Sequence, residues 1–337
     1  MIDNPPFLED YNPAGRLVFA LTPGRTFLEL FGHIKKITGR RVPALLVSMF
    51  YLRGKGGSEK LGKIRDLCDR LIVDSGIFSL RSQILKAQGV SIRVAHWKLG
   101  SAAQQQLISI CQDNMTMFDQ FAEEYGTFLS VNDDLLDTAI DLDVEQMLGI
   151  DKANDYYRDL STCINPRKLM RVWHAFKRTW HDWSDWCESG DFDWLAMEGP
   201  DQHNRDVGMY TRFINKAHQH SVKVHILATT TLSFLSKVPM DSCDSSTYTV
   251  GGRWARLIMP GGRDVLVGEK YKADYGNNYS TLPLVEQKEV QEVFRYFGFT
   301  LEELSTSHEA RCLFNALVFL LYYDKPMPEG ITIQAVF

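Results

Sequence analysis

The amino-acid sequence predicts an α/β fold, a (β/α)8 TIM barrel with a Gly/Arg-rich insertion and C-terminal helices. Eight short apolar runs alternate with stretches of helical periodicity, which is the pattern of a parallel barrel. Polar or charged residues directly follow several of these runs, where barrel enzymes carry their catalytic groups. A chain of 337 residues is long enough for one barrel with an extension.

The predicted strands are short apolar segments within the first 245 residues. They are Leu17–Leu21, Ala44–Tyr51, Leu71–Asp74, Thr138–Asp143, Met170–His174, Asp193–Glu198, Lys223–Ala228 and Asp241–Ser245.

Helices are predicted where apolar residues recur at helical spacing. These are Arg25–Thr38, Ser101–Leu129, Thr179–Glu188, Arg205–His220 and Leu232–Lys237, and at the C-terminus Leu284–Phe297 and Thr300–Tyr323. Trp180, Trp183 and Trp186 share one helical face, which favours packing against the core over a base-stacking platform.

The sequence divides into three parts within a single domain. Residues 1–250 carry the strand and helix alternation, and 251–280 are rich in Gly and charge, which predicts loops or hairpins over one face of the barrel. Residues 281–337 are predicted as helices packed on the barrel.

Composition and charge limit the class of protein. Apolar residues make up 45% and charged residues 23%, as in soluble globular proteins, and the net charge of −5 excludes a general polycation. The six cysteines are scattered, which favours free thiols in a reducing cytoplasm. The N-terminus does not resemble a signal peptide, and the longest apolar run, Leu313–Tyr323, is too short for a membrane span.

The stretch LIVDSGIFSL, Leu71–Leu80, is the strongest local indication of a site. Asp74 ends an apolar strand, and Gly76 permits a tight turn through which a substrate could approach the backbone. The alternative is a strand followed by an Asp-Ser helix cap.

Similar polar positions follow other predicted strands. They are Asp143, His174, Glu198, Thr229 and Asp244, and each alone could be a helix cap or a solvated loop residue. His174 and His181 are seven residues apart without a further ligand pattern, so a structural role for His174 is favoured over metal binding.

Basic clusters occur at His33–Arg41, Arg53–Arg65 and Gly251–Arg256. The second follows a strand end, so it is expected on the same face as the carboxylates, although a solvated flexible loop is the alternative. It lacks the P-loop pattern G-x-x-x-x-G-K-S/T. The candidate phosphate-binding residues are Lys55, Lys60, Lys63, Arg65, Arg253 and Arg256.

Four segments, in order between Leu17 and Leu257, resemble the tRNA-guanine transglycosylase superfamily. LIVDSGIFS resembles its D-S-G-G/A-F motif, and AIDLDVEQMLG resembles a strand ending in a base-recognising Asp. DWLAMEGP with KVHILATTT resembles its base-binding strand and the following strand, and VPMDSCDSSTYTVGGRWAR resembles the segment with its nucleophilic Asp. The chain resembles the phage and bacterial DNA-guanine transglycosylase branch more than the tRNA enzymes. This resemblance implies the cytoplasm of the host if a phage carries the gene.

The resemblance implies a pentosyltransferase that exchanges guanine for a 7-deazaguanine of the preQ0 or preQ1 type through a covalent Asp–sugar intermediate. Asp244 would be the nucleophile, with Asp241 as its rival, and Asp74 the general acid and base. Asp143 would bind the base, with Asp141 as the alternative, since strand alternation predicts both on one face.

Four further residues are implied to contact the base: Ser75, Phe78, Glu198 and Gly199. Glu198-Gly199 stands where the tRNA enzymes have a glycine pair.

The tRNA enzymes carry a zinc motif, C-x-C-x-x-C with a distant His, after the nucleophile. The corresponding region here has only Cys312 beside His308, so no zinc and no other cofactor is expected. The expected partners are nucleic acid, DNA favoured over tRNA, and a free 7-deazaguanine base. The alternatives are a tRNA enzyme, a non-catalytic barrel that binds nucleic acid or a partner subunit, and a two-carboxylate glycoside hydrolase.

Overall fold

The eight predicted strands form a closed parallel barrel in the computed structural model, so the predicted fold class is confirmed. The structure describes residues 6–21, 25–90, 102–175, 177–199, 206–229, 231–268 and 277–324. The strands are Leu17–Leu21 (β1), Val42–Ser48 (β2), Cys68–Asp74 (β3), Thr138–Ile140 (β4), Leu169–Trp173 (β5), Trp194–Met197 (β6), Lys223–Ile226 (β7) and Ser242–Ser245 (β8).

Helices follow the strands and form the outer layer. They are Arg25–Thr38 (α1), Gly57–Arg65 (α2), Ile77–Ala87 (α3), Ala102–Asp113 (α4), Met115–Val131 (α5), Glu145–Leu148 (α6), Ile150–Cys163 (α7), Trp180–Glu188 (α8), Val207–Gln219 (α9), Leu232–Leu235 (α10), Thr247–Arg253 (α11), Leu284–Tyr296 (α12), Leu301–Thr306 (α13) and His308–Val318 (α14). One π-helical turn, Phe319–Tyr323, continues α14.

Several helix predictions required correction. The predicted helix Ser101–Leu129 is interrupted at Asn114, and Gly57–Arg65, part of the presumed basic loop, is helical. Glycines conceal this helix in the sequence: a Cβ on Gly57 would lie 2.1 Å from the carbonyl oxygen of Leu52. Only glycine therefore allows the chain to turn so closely.

The barrel interior is filled by apolar side chains from alternate strand positions, as barrel packing requires. These buried residues are Val18, Ala44, Leu46, Ile72, Ile140, Met170, Val172, Trp194 and Ala196. The intervening strand residues pack outward against the helices. The predicted packing of the Trp-rich helix is confirmed, because Trp183 is fully buried and its indole N–H donates to the Phe213 carbonyl at 2.9 Å.

The C-terminal part completes the outer layer at the seam between β1 and β8. Helix α14 contacts α1 and α11, and the antiparallel hairpin of Arg256–Ile258 (β9) and Asp264–Leu266 (β10) packs on α11 and α14 through β9. The expected hairpin is present, but these contacts place it against helices. The predicted boundary at residue 250 lies within α11.

Asp324 connects this C-terminal part to the first strand. Its carboxylate accepts the backbone N–H groups of Gly15, Arg16 and Leu17 at 3.0, 2.7 and 3.0 Å. These contacts mark the amino end of the barrel, opposite to the end where Asp74 and Asp244 lie.

Candidate active site

Four strands place a polar side chain at the carboxyl end of the barrel interior. Side chains alternate along a strand, and each of these residues lies two positions after an interior residue. The pairs are Ile72 and Asp74, Val172 and His174, Ala196 and Glu198, and Ser242 and Asp244.

The turn after Asp74 is built around a glycine. Gly76 has φ +80° and donates its N–H to Oδ2 of Asp74 at 3.0 Å. A Cβ at this position would lie 1.9 Å from Oγ of Ser48 and 2.6 Å from Cβ of Phe50. The space that a Cβ on Gly76 would occupy is therefore filled by the end of β2 and by Phe50.

The environment of Asp74 favours its protonated form. Burial and the negative charges of Asp244 and Asp143 raise the pKa of Asp74 to about 7, against hydrogen bonds from the Gly76 and Ser75 amides. The structure therefore brings Asp74, Asp143 and Asp244 within electrostatic range of one another. A carboxyl group with a pKa near neutrality can both donate and accept a proton under physiological conditions.

Asp143 differs from Asp74 because it has a cationic partner. Nε2 of His174 lies 2.6 Å from Oδ1 of Asp143, and Nδ1 lies 3.3 Å from Oε2 of Glu198. Burial disfavours the imidazolium ion, but Asp143 and Glu198 outweigh burial and hold the pKa of His174 well above its usual value. His174 thus places a buried positive charge between the side chains of Asp143 and Glu198.

Glu198 forms the more accessible side of this arrangement. Its side chain is 33% exposed, and Oε1 accepts a hydrogen bond from Nε2 of Gln146 at 3.2 Å. The Tyr210 hydroxyl donates to the Glu198 backbone carbonyl at 2.9 Å. A carboxylate with these fixed contacts can orient a donor on a bound ligand.

Asp141 and Asp143 both lie beyond the end of β4, so strand alternation cannot place them on one face as predicted. Strand β4 ends at Ile140, which faces the interior, so strand alternation does not extend to both aspartates. Burial and Asp143 raise the pKa of Asp141 to about 8, while the outward-facing Arg171 lowers it. Oδ1 of Asp141 has no hydrogen-bond partner among the described residues.

The two candidate nucleophiles lie at different ends of β8. Oδ1 of Asp244 accepts the N–H of Ala228 at 2.8 Å, at the carboxyl end. Asp241 precedes the strand, where its Oδ2 accepts the Val224 N–H at 2.7 Å and lies 2.8 Å from Nε2 of His218. Asp241 therefore has its contacts at the amino end, away from Asp74.

The three remaining predicted base contacts differ in accessibility. Phe78 is 46% exposed, with the Arg81 guanidinium 4.5 Å from its ring centre, so it is available to a base. Ser75 has no exposed surface, and its Oγ accepts the N–H of Ile77 at 3.3 Å, so its side chain is engaged within the turn and a base contact by Ser75 stays a prediction. A Cβ on Gly199 would lie 2.1 Å from the Leu227 carbonyl oxygen, so close packing against the end of β7 requires glycine there.

The predicted phosphate-binding residues do not share one surface. Lys55 is exposed in the turn after β2, at the carboxyl end. Lys60 and Lys63 lie along α2, and Lys63 pairs with Glu59 at 2.7 Å. Arg65 ends this helix and contacts Asp137 Oδ2 and the carbonyl oxygen of Asp69 at 2.7 and 2.9 Å, at the amino end. The expected common face is therefore wrong for Arg65.

The two later arginines belong to the C-terminal layer. Arg253 is exposed at the end of α11, next to Gly252, which packs on Cys312 and His308 of α14. Arg256 lies 3.0 Å from Oδ2 of Asp264 and close enough to Tyr323 to influence the pKa of its hydroxyl. Because Tyr323 precedes Asp324, Arg256 lies on the side of the amino end, and a phosphate contact near Asp244 is wrong for it.

The sequence places His174 among the polar strand-end positions but favours a structural role for it, and it does not single out His225. The position of His174, two residues after the interior Val172, indicates that it faces the mouth. His225 lies beneath Asp244, with Nε2 3.3 Å from Oδ1. The alternation of side chains along a strand indicates that both histidines face the interior. This inference requires knowing which residues of each strand face the interior.

A groove of about 620 Å³ lies outside the barrel, between α2 and α5. Its lining includes Arg53, Gly56, Glu59, Glu123 and Glu124 and none of the interior carboxylates. We place the candidate active site by the converging charges of Asp74, Asp143 and Asp244, because this groove has no comparable cluster of interacting acids.

Metal and membrane features are limited to two findings. Within the described residues, no group of three or more His, Cys, Asp or Glu side chains is placed to hold a metal ion. Cys312 Sγ lies 3.7 Å from both ring nitrogens of His308. None of the helices in the described ranges is both long and apolar enough to cross a membrane.

Comparisons with known proteins do not identify a family. No protein-family model and no curated protein matches the sequence. Among solved structures, the carboxyl transferase domain of Rhizobium etli pyruvate carboxylase with 3-hydroxypyruvate is 11% identical, with a TM-score of 0.34. The match covers 97% of this chain and 52% of that one. A pyruvate carboxylase variant from the same organism, crystallised without acetyl coenzyme-A, is 10% identical with a TM-score of 0.31, over 95% of this chain and 30% of that one. These likenesses carry no functional argument.

Proposed function

We propose that this chain is a base-exchange glycosyltransferase that replaces guanine in DNA with a 7-deazaguanine. The observation that carries the proposal is the raised pKa of Asp74, about 7, beside Asp244 and Asp143 at the carboxyl end of the barrel. Base exchange needs one carboxyl group that moves a proton and another that attacks the sugar. The four segments that resemble guanine transglycosylases contain these same aspartates.

In the first half of the reaction, Asp244 would attack C1′ of the nucleotide. The bond from C1′ to the guanine nitrogen breaks as the bond from the Asp244 carboxylate to C1′ forms, through a transition state of oxocarbenium character. The bonding electron pair leaves with guanine, which takes the proton from Asp74. The burial that raises the pKa of Asp74 keeps this proton available near neutral pH.

In the second half, the incoming 7-deazaguanine would attack the same carbon. Its ring nitrogen forms the new bond to C1′, and the electron pair of the ester bond returns to Asp244. Asp74, ionised after the first half, accepts the proton that the incoming base releases. Two inversions leave the sugar with its original configuration.

The base would be recognised by the two carboxyl groups that contact the His174 imidazole. Guanine presents an amino group and a ring N–H, which a carboxylate can accept together. His174 lies 2.6 Å from Asp143, so the imidazolium supports Asp143 as an acceptor. Glu198, 33% exposed beside the same imidazole, would accept a further donor of the base.

The target guanine must leave a DNA duplex to reach this site. Flipping a base costs a few kcal/mol, which contacts in the pocket recover. Phe78 is exposed enough to stack on the base, and Lys55 is the candidate phosphate contact at this end of the barrel. The same pocket would fit a guanine from tRNA, so the polymer is decided by experiment.

The test measures incorporation of labelled guanine into duplex DNA and into tRNA. The wild-type protein is expected to label DNA, and Asp244→Asn is expected to lose at least about 1,000-fold of this activity, since the amide cannot form the ester. Asp241→Asn is the matched control, because Asp241 has its contacts at the opposite end of β8.

Each other outcome has a defined meaning. Labelling of tRNA alone would show that the substrate is tRNA and not DNA. Labelling of neither polymer would reject base exchange and favour a barrel that only binds nucleic acid. Loss of activity in Asp241→Asn with full activity in Asp244→Asn would reject the assigned nucleophile.

A further inference from the structure

His225 lies directly beneath the proposed nucleophile, in the barrel interior. It has no exposed surface, and it pairs with Ser242 across the ladder between β7 and β8. Nδ1 lies 2.8 Å from Oγ of Ser242, and Nε2 lies 3.3 Å from Oδ1 of Asp244. The imidazole therefore bridges the two interior-facing side chains of β8.

The neighbours of the imidazole determine where its proton lies. An ionised carboxylate only accepts hydrogen bonds, so the ring nitrogen facing Asp244 carries the hydrogen. Nδ1 contacts the Ser242 hydroxyl, which can donate to it or accept from it. Nε2 has no well-aligned hydrogen bond among the described residues, and catalytic hydrogen bonds are often long before substrate binds.

The two oxygens of Asp244 differ in their contacts. Oδ1 accepts the Ala228 N–H at 2.8 Å and faces Nε2 of His225. Ala228 has φ +51°, a strained conformation for a residue with a side chain, which directs its N–H at this oxygen. Oδ2 accepts no hydrogen bond from any described residue.

We infer that His225 is a positioning residue that, with the Ala228 amide, holds Oδ1 of Asp244 so that Oδ2 attacks the sugar. The inference rests on the proposed function. As Oδ2 bonds to C1′, the bond to guanine breaks, its electron pair goes to the base, and Asp74 supplies the proton. Oδ1 becomes the ester carbonyl oxygen, and His225 keeps its own proton throughout.

The same contact has its larger effect in the second half of the reaction. When the incoming base displaces Asp244, the electron pair of the ester bond returns to the carboxylate. Donors already aimed at Oδ1 stabilise the departing charge without reorganisation. Loss of His225 therefore slows release of the sugar more than its capture.

Two substitutions separate this role from simple packing. In His225→Asn the amide reaches the position of Nδ1, so the contact with Ser242 is kept while the donor to Asp244 is lost. In His225→Gln the longer side chain places an amide N–H near the position of Nε2. Asn is expected to lower kcat about 10- to 100-fold with little change in KM for the oligonucleotide, and Gln to recover most of the lost rate.

The covalent adduct provides a second readout. A labelled oligonucleotide mixed with His225→Asn, without incoming base, is expected to yield adduct near the wild-type rate, but adding the base should release it at least about 10-fold more slowly. Thermal unfolding of both variants identifies a folding defect. Equal rates for Asn and Gln, or a rise in KM alone, would overturn the inference.

Failure of the proposed function is distinguishable from failure of this inference. A wild-type protein that exchanges no base contradicts the proposed function only. Crystal structures of the wild type and His225→Asn then test the positioning role. A rotated Asp244 carboxylate in the variant supports the role, and an unchanged orientation overturns it.

Discussion

Aspartates lie at both ends of this barrel, and the two ends hold them in different ways. At the amino end, each carboxylate accepts a backbone N–H from a barrel strand: Asp137 accepts from Leu71, Asp241 from Val224, and Asp324 from Leu17. Each of these donors lies 2.7 to 3.0 Å from the carboxylate oxygen. These aspartates connect neighbouring parts of the barrel.

At the carboxyl end, the carboxylates face one another. Asp244 and Asp143 both act to raise the pKa of Asp74, and Asp143 likewise raises that of Asp141. Like charges placed together cost stability and are characteristic of functional sites. The structural aspartates of this chain therefore differ from the candidate catalytic ones in their surroundings: the former bind backbone N–H groups of the strands, and the latter lie near other carboxylates.

The largest expected effect is the loss of proton transfer in Asp74→Asn. The amide can neither protonate guanine nor deprotonate the incoming base, so exchange is expected to fall by about 100- to 10,000-fold. The fold should persist, since the substitution relieves repulsion with Asp244. Steady-state kinetics measure exchange, and thermal unfolding measures the persistence of the fold. An active Asp74→Asn would show that Asp74 is not a catalytic aspartate.

The pH profile of the wild type follows from the same group. The protonated form of Asp74 decreases as the pH rises above about 7, so formation of the sugar adduct should slow on the alkaline side. Single-turnover adduct formation between pH 5 and 9 measures this limb. An alkaline limb that persists unchanged in Asp74→Asn would assign it to another group.

At the amino end, Asp324→Asn should reduce stability. Its two carboxylate oxygens accept three backbone amides, and asparagine replaces one of these oxygens with an N–H₂ group that cannot accept, so at least one of the amides loses its acceptor. We expect a loss of about 3 kcal/mol in the free energy of unfolding, measured by urea denaturation. A stability loss below about 0.5 kcal/mol would show that this end depends little on its aspartate.

Asp141→Asn should increase the free energy of unfolding at alkaline pH, whereas Asp324→Asn should decrease it. The folded pKa of Asp141, about 8, lies above its unfolded value, so its contribution to stability is fully present below the unfolded pKa and is lost as the pH rises through 8. The uncharged amide avoids this loss. The variant is expected to gain up to about 5 kcal/mol over the wild type between pH 4 and pH 9, measured by denaturation at both values.

The smallest expected effect concerns nucleic-acid binding by the basic residues of the two ends. Lys55→Gln, at the carboxyl end, should reduce the slope of log K against log salt by about one, as expected for one lost phosphate contact. Arg65→Gln, at the amino end, should leave that slope unchanged. Fluorescence anisotropy with a labelled duplex at several salt concentrations compares them, and equal slopes would contradict the placement of the substrate.

The sequence was sufficient for the barrel because apolar runs and their spacing determine it. All eight predicted strands are present, and β1 has its predicted ends. The helix α2 was missed because its first turn contains Gly56 and Gly57, which occur in loops more often than in helices.

The site was harder to predict because its geometry depends on where strands end. Asp141 and Asp143 were expected on one face, but β4 is only three residues long and alternation stops at Ile140. Asp241 and Asp244 could not be separated by sequence, since three residues along one strand decide which end of the barrel each faces. His174 required the same register, together with carboxylates from β4 and β6 that are distant in the chain.

The contacts of Asp324 also have a consequence for synthesis of the chain on the ribosome. The amides of Arg16 and Leu17 are made first, yet their acceptor is added 308 and 307 residues later. During translation, the N–H groups of Arg16 and Leu17 lack this acceptor until Asp324 has been synthesised. These contacts between β1 and the C-terminal part can therefore form only after residue 324 has left the ribosome, later than the strand pairs that close the barrel.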